Sequence, residues 1–179
     1  MAGVWTNNWR AFRNIMVMGS HHNGLSTVVN TNGITIADSY NPELTTTSPL
    51  GLYSNEDGSN AMNYIRLGTG NTAPAATDYN LENPATLSYL TVSISAPTYD
   101  DNLGTMTRTI TISVQNQQSA SVTIREWGIF GSVRTLLFGS NAIAQALLYR
   151  EVLDAPVVLA QYQTATLQLT VHLTLSDPL

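Results

Sequence analysis

The stretch ATLQLTVHLTL, Ala165 to Leu175, sets Ala165, Leu167, Leu169, Val171, Leu173 and Leu175 against Thr166, Gln168, Thr170, His172 and Thr174. Successive side chains of a β-strand point to opposite faces, so strict alternation over eleven positions describes a strand with one buried and one solvated face, as in an antiparallel sheet. Working outward, Ser88 to Ala96 repeats the pattern, with Leu90, Val92 and Ile94 on the apolar phase and Thr91, Ser93 and Ser95 opposite. Further strands are expected at Met106 to Val114, Val122 to Phe130, Leu147 to Leu153 and Val157 to Leu159, divided by turn-like segments such as TYDDNLG and QNQQSAS. Ser26 to Asn30 and Ile34 to Ala37 flank Asn32-Gly33, which reads as a hairpin with a type I′ turn. Short strands so punctuated predict an all-β fold, an antiparallel β-sandwich of jelly-roll or immunoglobulin-like type.

Two segments depart from this pattern. Trp5, Trp9, Phe12 and Met16 recur at helical spacing, with Arg10 and Arg13 off the stripe, which predicts a short N-terminal amphipathic helical arm over residues 1–20. The sandwich domain then covers residues 21–179. Within it, residues 38–60 are rich in Pro, Ser, Thr, Asn and Gly and read as a long surface loop. Tryptophan is enriched at the energetic centres of interfaces, so the arm is expected to dock on another subunit or on a larger particle, with a lid over its own sandwich as the alternative.

Composition narrows the function classes. Only 11% of residues are Asp, Glu, Lys or Arg, against about 25% in an average soluble protein, and lysine is absent. A surface so poor in charge suits a chain that covers much of itself with copies or partners. The net charge of −5 and seven scattered arginines form no basic stripe, which argues against direct nucleic-acid binding. The absence of cysteine excludes disulfides and thiol chemistry and fits a reducing cytoplasm. No export signal is evident, and no apolar run approaches the roughly 18 residues of a membrane span.

No constellation points to catalysis or to a bound metal or cofactor. GTGNTAP from Gly68 lacks the lysine of a phosphate-binding loop and reads as a turn. His21-His22 are adjacent and would diverge rather than converge on a metal, and His172 falls on the polar phase of its strand. Asn55-Glu56-Asp57 and Asp100-Asp101-Asn102 do not match a calcium loop. What does stand out is charge on apolar phases: Arg108 shares its phase with Ile110 and Ile112, Glu126 with Val122 and Ile124, and Arg150 with Leu148 and Val152. Buried charges are tolerable only when matched, so Arg108, Glu126 and Arg150 are expected to form a structural ion pair or triad, with Arg108 and Glu126 brought together by hairpin pairing of their strands.

Four pieces of the chain, in order, resemble tailed-bacteriophage virion structural proteins, the β-sandwich proteins of necks, tails, baseplates, fibres and head decorations. They are IRLGTGNTAPAATDYNLENP from Ile65, TRTITISVQNQQSASVTIREWGIF from Thr107, LLYREVLDAPVVL from Leu147, and the closing strand. In that group a glycine-threonine-glycine turn precedes a strand pair, a strand ends in glutamate-x-glycine-aromatic, and leucine-x-arginine follows. Here Glu126, Gly128, Phe130, Leu148 and Arg150 take those places. The chain departs from the pattern by a tryptophan between the glutamate and the glycine and by the insertion GSVRTLLFGSNAIAQ after Phe130. The resemblance implies a non-enzymatic head-decorating, neck or tail protein without cofactor. It implies a homo-oligomer whose partners are its own copies and other virion proteins, assembled in the host cytoplasm into the virion. A receptor- or carbohydrate-binding module of a fibre is the alternative, for which Tyr40, Tyr53, Tyr79 and Tyr99 are candidate contacts. A glycosidase, needing two carboxylates in one cleft, is a third.

Overall fold

The computed structural model describes residues 3–9, 28–36, 65–101, 104–135 and 142–174. Ten strands account for most of them: β1 Val4–Trp5, β2 Val28–Val29, β3 Thr35–Ile36, β4 Ile65–Gly68, β5 Ser88–Ile94, β6 Thr98–Asp100, β7 Thr105–Gln115, β8 Val122–Thr135, β9 Ala142–Leu159 and β10 Thr164–Thr174. One antiparallel sheet has the order β1-β9-β8-β4, a second has β10-β7-β5 with β6 also on β7, and β2 and β3 form a small hairpin. The two larger sheets face each other across a core supplied by both, so the all-β sandwich expected from the alternation is the observed fold. Ile65, Leu67, Ile124, Trp127, Ile129 and Tyr149 come from the first sheet; Val92, Ile110, Ile112, Val114, Leu167, Leu169 and Val171 come from the second.

β10 has the face the alternation assigned it: Leu167, Leu169 and Val171 are buried while Thr166, Gln168, Thr170 and His172 are exposed. By pairing, however, it is an outer strand among the described ones, joined to β7. β5 differs from its simple pattern, because a bulge between Tyr89 and Thr91 reverses the phase. Tyr89 before the bulge and Val92 after it turn inward, and Leu90 is left 44% exposed. After Phe130, β8 and β9 remain paired out to Thr135↔Ala142, so the described flanks of the insertion, residues 131–135 and 142–145, lengthen the two paired strands. The two strands expected at 147–153 and 157–159 are one strand, β9. Residues 153–156 of β9 stand opposite Arg125 in a register shift, which leaves Pro156 outside the paired positions.

The Asn32-Gly33 turn is not type I′, since positive φ occurs there only at Gly33 (φ 76°). Gly33 N–H donates to Asn30 O, and Asn30 N–H to Ile34 O. The Asn30 side-chain oxygen takes the N–H groups of Asn32 and Ile34. This is the three-residue loop closed by a left-handed glycine, and Asn30 rather than Asn32 organises it.

The helical arm also needs correction. Val4 and Trp5 are a strand, paired with Arg150 and Tyr149 of β9, and only residues 7–9 of the described segment are helical. The sequence periodicity misled because Trp5 and Trp9 meet by a strand-to-helix turn instead of along one helix, with ring centroids 4.8 Å apart. Phe12 and Met16 lie outside the described residues, as do the loop at 38–60, His21 and His22.

Candidate functional site

A bulge builds the site. Between Ile124 and Glu126 the register of β8 against β9 shifts. Val122 and Ile124 face the sandwich core before the shift, and Trp127 and Ile129 face it afterwards. Glu126, Gly128 and Phe130 are thereby sent to the opposite face of the sheet. In the register that follows, Arg150 stands opposite Gly128, and a second shift at Ile129/Phe130 places Leu147 beside Phe130. This outer face is covered by residues 69–84, whose Leu81 packs with Phe130 and Leu147 into a small second core.

Glu126 is fully buried beneath that loop. Its Oε1 accepts the N–H groups of Gly70 at 3.1 Å and Asn83 at 2.9 Å, and its Oε2 accepts Glu82 N–H at 3.2 Å and Arg150 Nε at 2.8 Å. Arg150, 2% exposed, extends the network outward. Its Nη1 donates to Asp78 Oδ2 at 2.8 Å, and its Nη2 donates to Thr72 O at 3.2 Å and lies 3.5 Å from Glu82 Oε2. Glu82 Oε2 also receives the N–H groups of Asn71 and Thr72 and the Thr72 hydroxyl. Two charges, each from a central strand, thus hold both ends and the middle of one loop.

The glycines follow from the same geometry. A Cβ on Gly68 or on Gly70 would come 2.5 Å from Glu126 Oε1, so the backbone can bring its amides to the carboxylate only where no side chain intervenes. On Gly128 a Cβ would lie 2.9 Å from Tyr149 O and 2.7 Å from Leu147 Cδ1. The glycine-threonine-glycine turn, the glutamate-x-glycine strand end and the arginine therefore meet at one point.

The electrostatics are those of a closed staple. Burial works against the charge of Arg150, but its bonds to Asp78 and Glu126 outweigh that and raise the guanidinium pKa. The Thr72 N–H, then the Thr72 hydroxyl and the Asn71 N–H, hold the Glu82 carboxyl below its ordinary value. On the core side, burial first and then the hydrogen bond to Glu151 raise the Tyr149 phenol far above its usual range.

Of the three charges expected together, Glu126 and Arg150 are joined and Arg108 stands elsewhere. The anticipated β7–β8 hairpin does not form: β7 pairs with β5, β6 and β10 in one sheet, and β8 with β4 and β9 in the other. Arg108 is half-buried opposite Val171, across the sandwich from the outer face where Glu126 lies. Asp78 and Glu82, members of the network, carry no periodic signal because they stand on an irregular loop. The carboxylates alternating with turn residues in TDYNLENP were the available sign.

Trp5 and Trp9 are spent inside the fold. Trp5 packs against Tyr149 in a tilted contact with ring centroids 4.9 Å apart, and Trp9 is 5% exposed. Thr6 Oγ1 donates to Leu147 O at 2.6 Å, and Asn8 Nδ2 reaches Leu147 O and Val29 O. This segment satisfies carbonyls at the β9 bulge, so the described part of the arm is a built-in member of the sheet and not a detachable interface.

Among the other sequence candidates, Tyr79 and Tyr99 are 45% and 66% exposed, while Tyr40 and Tyr53 lie outside the described residues. Tyr79 borders a polar cleft of about 580 Å³ with Asn32, Thr77, Asp78, Asn80 and Glu82. His172 is exposed, its Nδ1 3.2 Å from Thr107 Oγ1. Among the described residues no group of three or more His, Cys, Asp or Glu is placed to hold a metal ion. Both groups of the Glu126–Arg150 centre are buried and engaged by internal partners, with Arg150 at the inner wall of the cleft beside Tyr79. No family model, curated protein or solved structure matches this chain.

Proposed function

We propose that this protein is a non-enzymatic structural component of a tailed-phage virion, a head-decorating, neck or tail protein that acts by homo-oligomeric assembly. The observation that carries the reading is the convergence of the resembling motifs on a single closed staple. Gly68, Gly70, Glu126, Gly128 and Arg150, scattered over more than eighty positions of sequence, serve to fix one loop on a rigid double sheet. Motifs used in this way belong to a body that must hold its shape. The low charge of the chain, with no lysine, supports burial of its surface against copies or neighbours.

The test is to band intact particles from a producing culture on a density gradient and quantify the chain by mass spectrometry. Multiple copies per particle, co-banding with the major head and tail proteins, are expected. Recovery only in the particle-free fraction refutes the assignment. The second reading, a glycan-binding module, is favoured by Tyr79 at the rim of its polar cleft, since an exposed aromatic ring beside amides and carboxylates suits a sugar face. Binding to a glycan array that is lost in Tyr79→Ala, by a chain absent from particles, would select it.

A further inference from the structure

β10 is the outer strand of its sheet. Among the described strands it pairs with β7 alone, in eleven consecutive steps from Thr164↔Gln115 to Thr174↔Thr105 with no register shift. No described strand takes the backbone groups on its other side. Protein sheets blunt such edges with charges, proline, bulges or brevity, because a long flat edge is a template for pairing. The other edges of this sandwich show those devices. β5, at the opposite side of the same sheet, carries a bulge and runs into Ala96-Pro97. In the first sheet, β1 has two residues and β4 has four. TATLQLTVHLT has no Asp, Glu, Lys, Arg, Pro or Gly, and the Trp5 indole donates to His172 O at 3.1 Å at the far end of the strand.

We infer that this edge is the site at which two copies join, β10 of one pairing antiparallel with β10 of the other so that two sheets continue as one across a twofold axis. The inference rests on the homo-oligomeric reading above and names the surface it uses. The strand itself suits a second copy as occupant: a twofold sets the uncharged row Thr166, Gln168, Thr170 and His172 against an identical row, so two chains that each bear −5 meet there with no like charges opposed. Cross-strand threonine and other polar pairs are themselves mildly favourable. Keeping Leu167, Leu169 and Val171 on the covered face in both copies requires that residues of like parity stand opposite each other. With the two strands fully overlapped, Gln168, near the middle of Thr164–Thr174, is at or beside the axis.

The natural absence of cysteine gives a clean test in the full chain. Thr166→Cys, Gln168→Cys and Thr170→Cys are made singly, with Ser93→Cys on the exposed face of β5 as control. Each is oxidised mildly and run on a non-reducing gel, while light scattering gives the mass of the parent. The parent is expected to be an even-numbered oligomer. One β10 position should cross-link at least about tenfold faster than Ser93→Cys, because paired strands hold the thiols at high effective concentration. Gln168→Lys, folded by circular dichroism, should lower the mass to half or less by setting like charges at the axis. An oligomeric parent with no β10 position above the control overturns the edge and leaves the assembly reading standing. A parent that is monomeric at all concentrations overturns both.

Discussion

Removing the Glu126 carboxylate is the most direct perturbation of the staple. In Glu126→Ala, Arg150 keeps Asp78 and Glu82 but loses the fully buried partner at 2.8 Å, and the N–H groups of Gly70, Glu82 and Asn83 lose their acceptor. Breaking one side of a buried pair costs about 3–5 kcal/mol, mostly for the charge left behind. Each stranded amide would add about 1–3 kcal/mol if the loop stayed shut. The loop is on the surface, so it can lift and let water reach those amides, and the total settles near the range for the pair alone. With a urea slope of about 2 kcal/mol per molar, the unfolding midpoint should fall by about 1.5–2.5 M. Arg150→Met, alone and combined with Glu126→Ala, completes a double-mutant cycle, and the double variant should be distinctly more stable than the two single losses summed. A Glu126→Ala midpoint equal to the parent's, or a cycle that closes with no coupling, would show that the ion pair does not hold the loop.

Three other outcomes follow from the same structure. Leu169→Ala should destabilise by about 2–5 kcal/mol while Thr170→Ala changes little, read by thermal melting; reversed effects would mean that β10 faces the other way. Trp9→Ala should cost about 3–5 kcal/mol, because Trp9 is buried against Trp5 within the sheet body; a variant that melts with the parent would return the N-terminal segment to the role of a free arm. Glu82 has a folded pKa below its unfolded value near 4.5, so its contribution to stability is present above that pH and is lost as pH falls through the folded value. Glu82→Gln should therefore flatten the acid side of a melting-temperature series, and an unchanged acid slope contradicts the hydrogen bonds from Thr72 and Asn71.

What the sequence made legible was set by regularity of the backbone. β10 and β7 pair through eleven residues without a shift, so the parity of β10 alone identified its buried face. β5, β8 and β9 each contain a bulge, and a bulge reverses parity without changing composition. Leu90 was thus assigned inward and is exposed, and Glu126 was assigned to the core phase of Val122 and Ile124 and faces the other side of the sheet. The inference that Glu126 and Arg150 share a buried site came from two charges placed among apolar residues, and burial on the outer face under a loop satisfies that condition as well as burial in the core. Arg108 could not be separated from them, because strand order is decided by contacts between sheets that no local pattern carries.

The same reasoning accounts for the N-terminal segment and ties it to the bulges. A bulge at Leu148 leaves β9 carbonyls out of step with the ladder, and a buried carbonyl needs a donor. Thr6 N–H and Oγ1, together with Asn8 Nδ2, supply donors to the carbonyls of Leu147 and Leu148. Trp5, itself against Trp9, then packs on Tyr149, whose ring also packs on Trp127 at 5.1 Å. The bulge that turns Arg150 outward to meet Glu126 is thus the bulge that the first residues of the chain complete. The loop staple on one side of β9 and the aromatic cluster on the other share the irregularity at Leu148, so damage to either is expected to weaken both. Measured as a cycle, Trp9→Ala and Glu126→Ala should be non-additive despite standing on different elements. Strict additivity would separate the two sites and leave the β9 bulge as a feature of the hairpin alone.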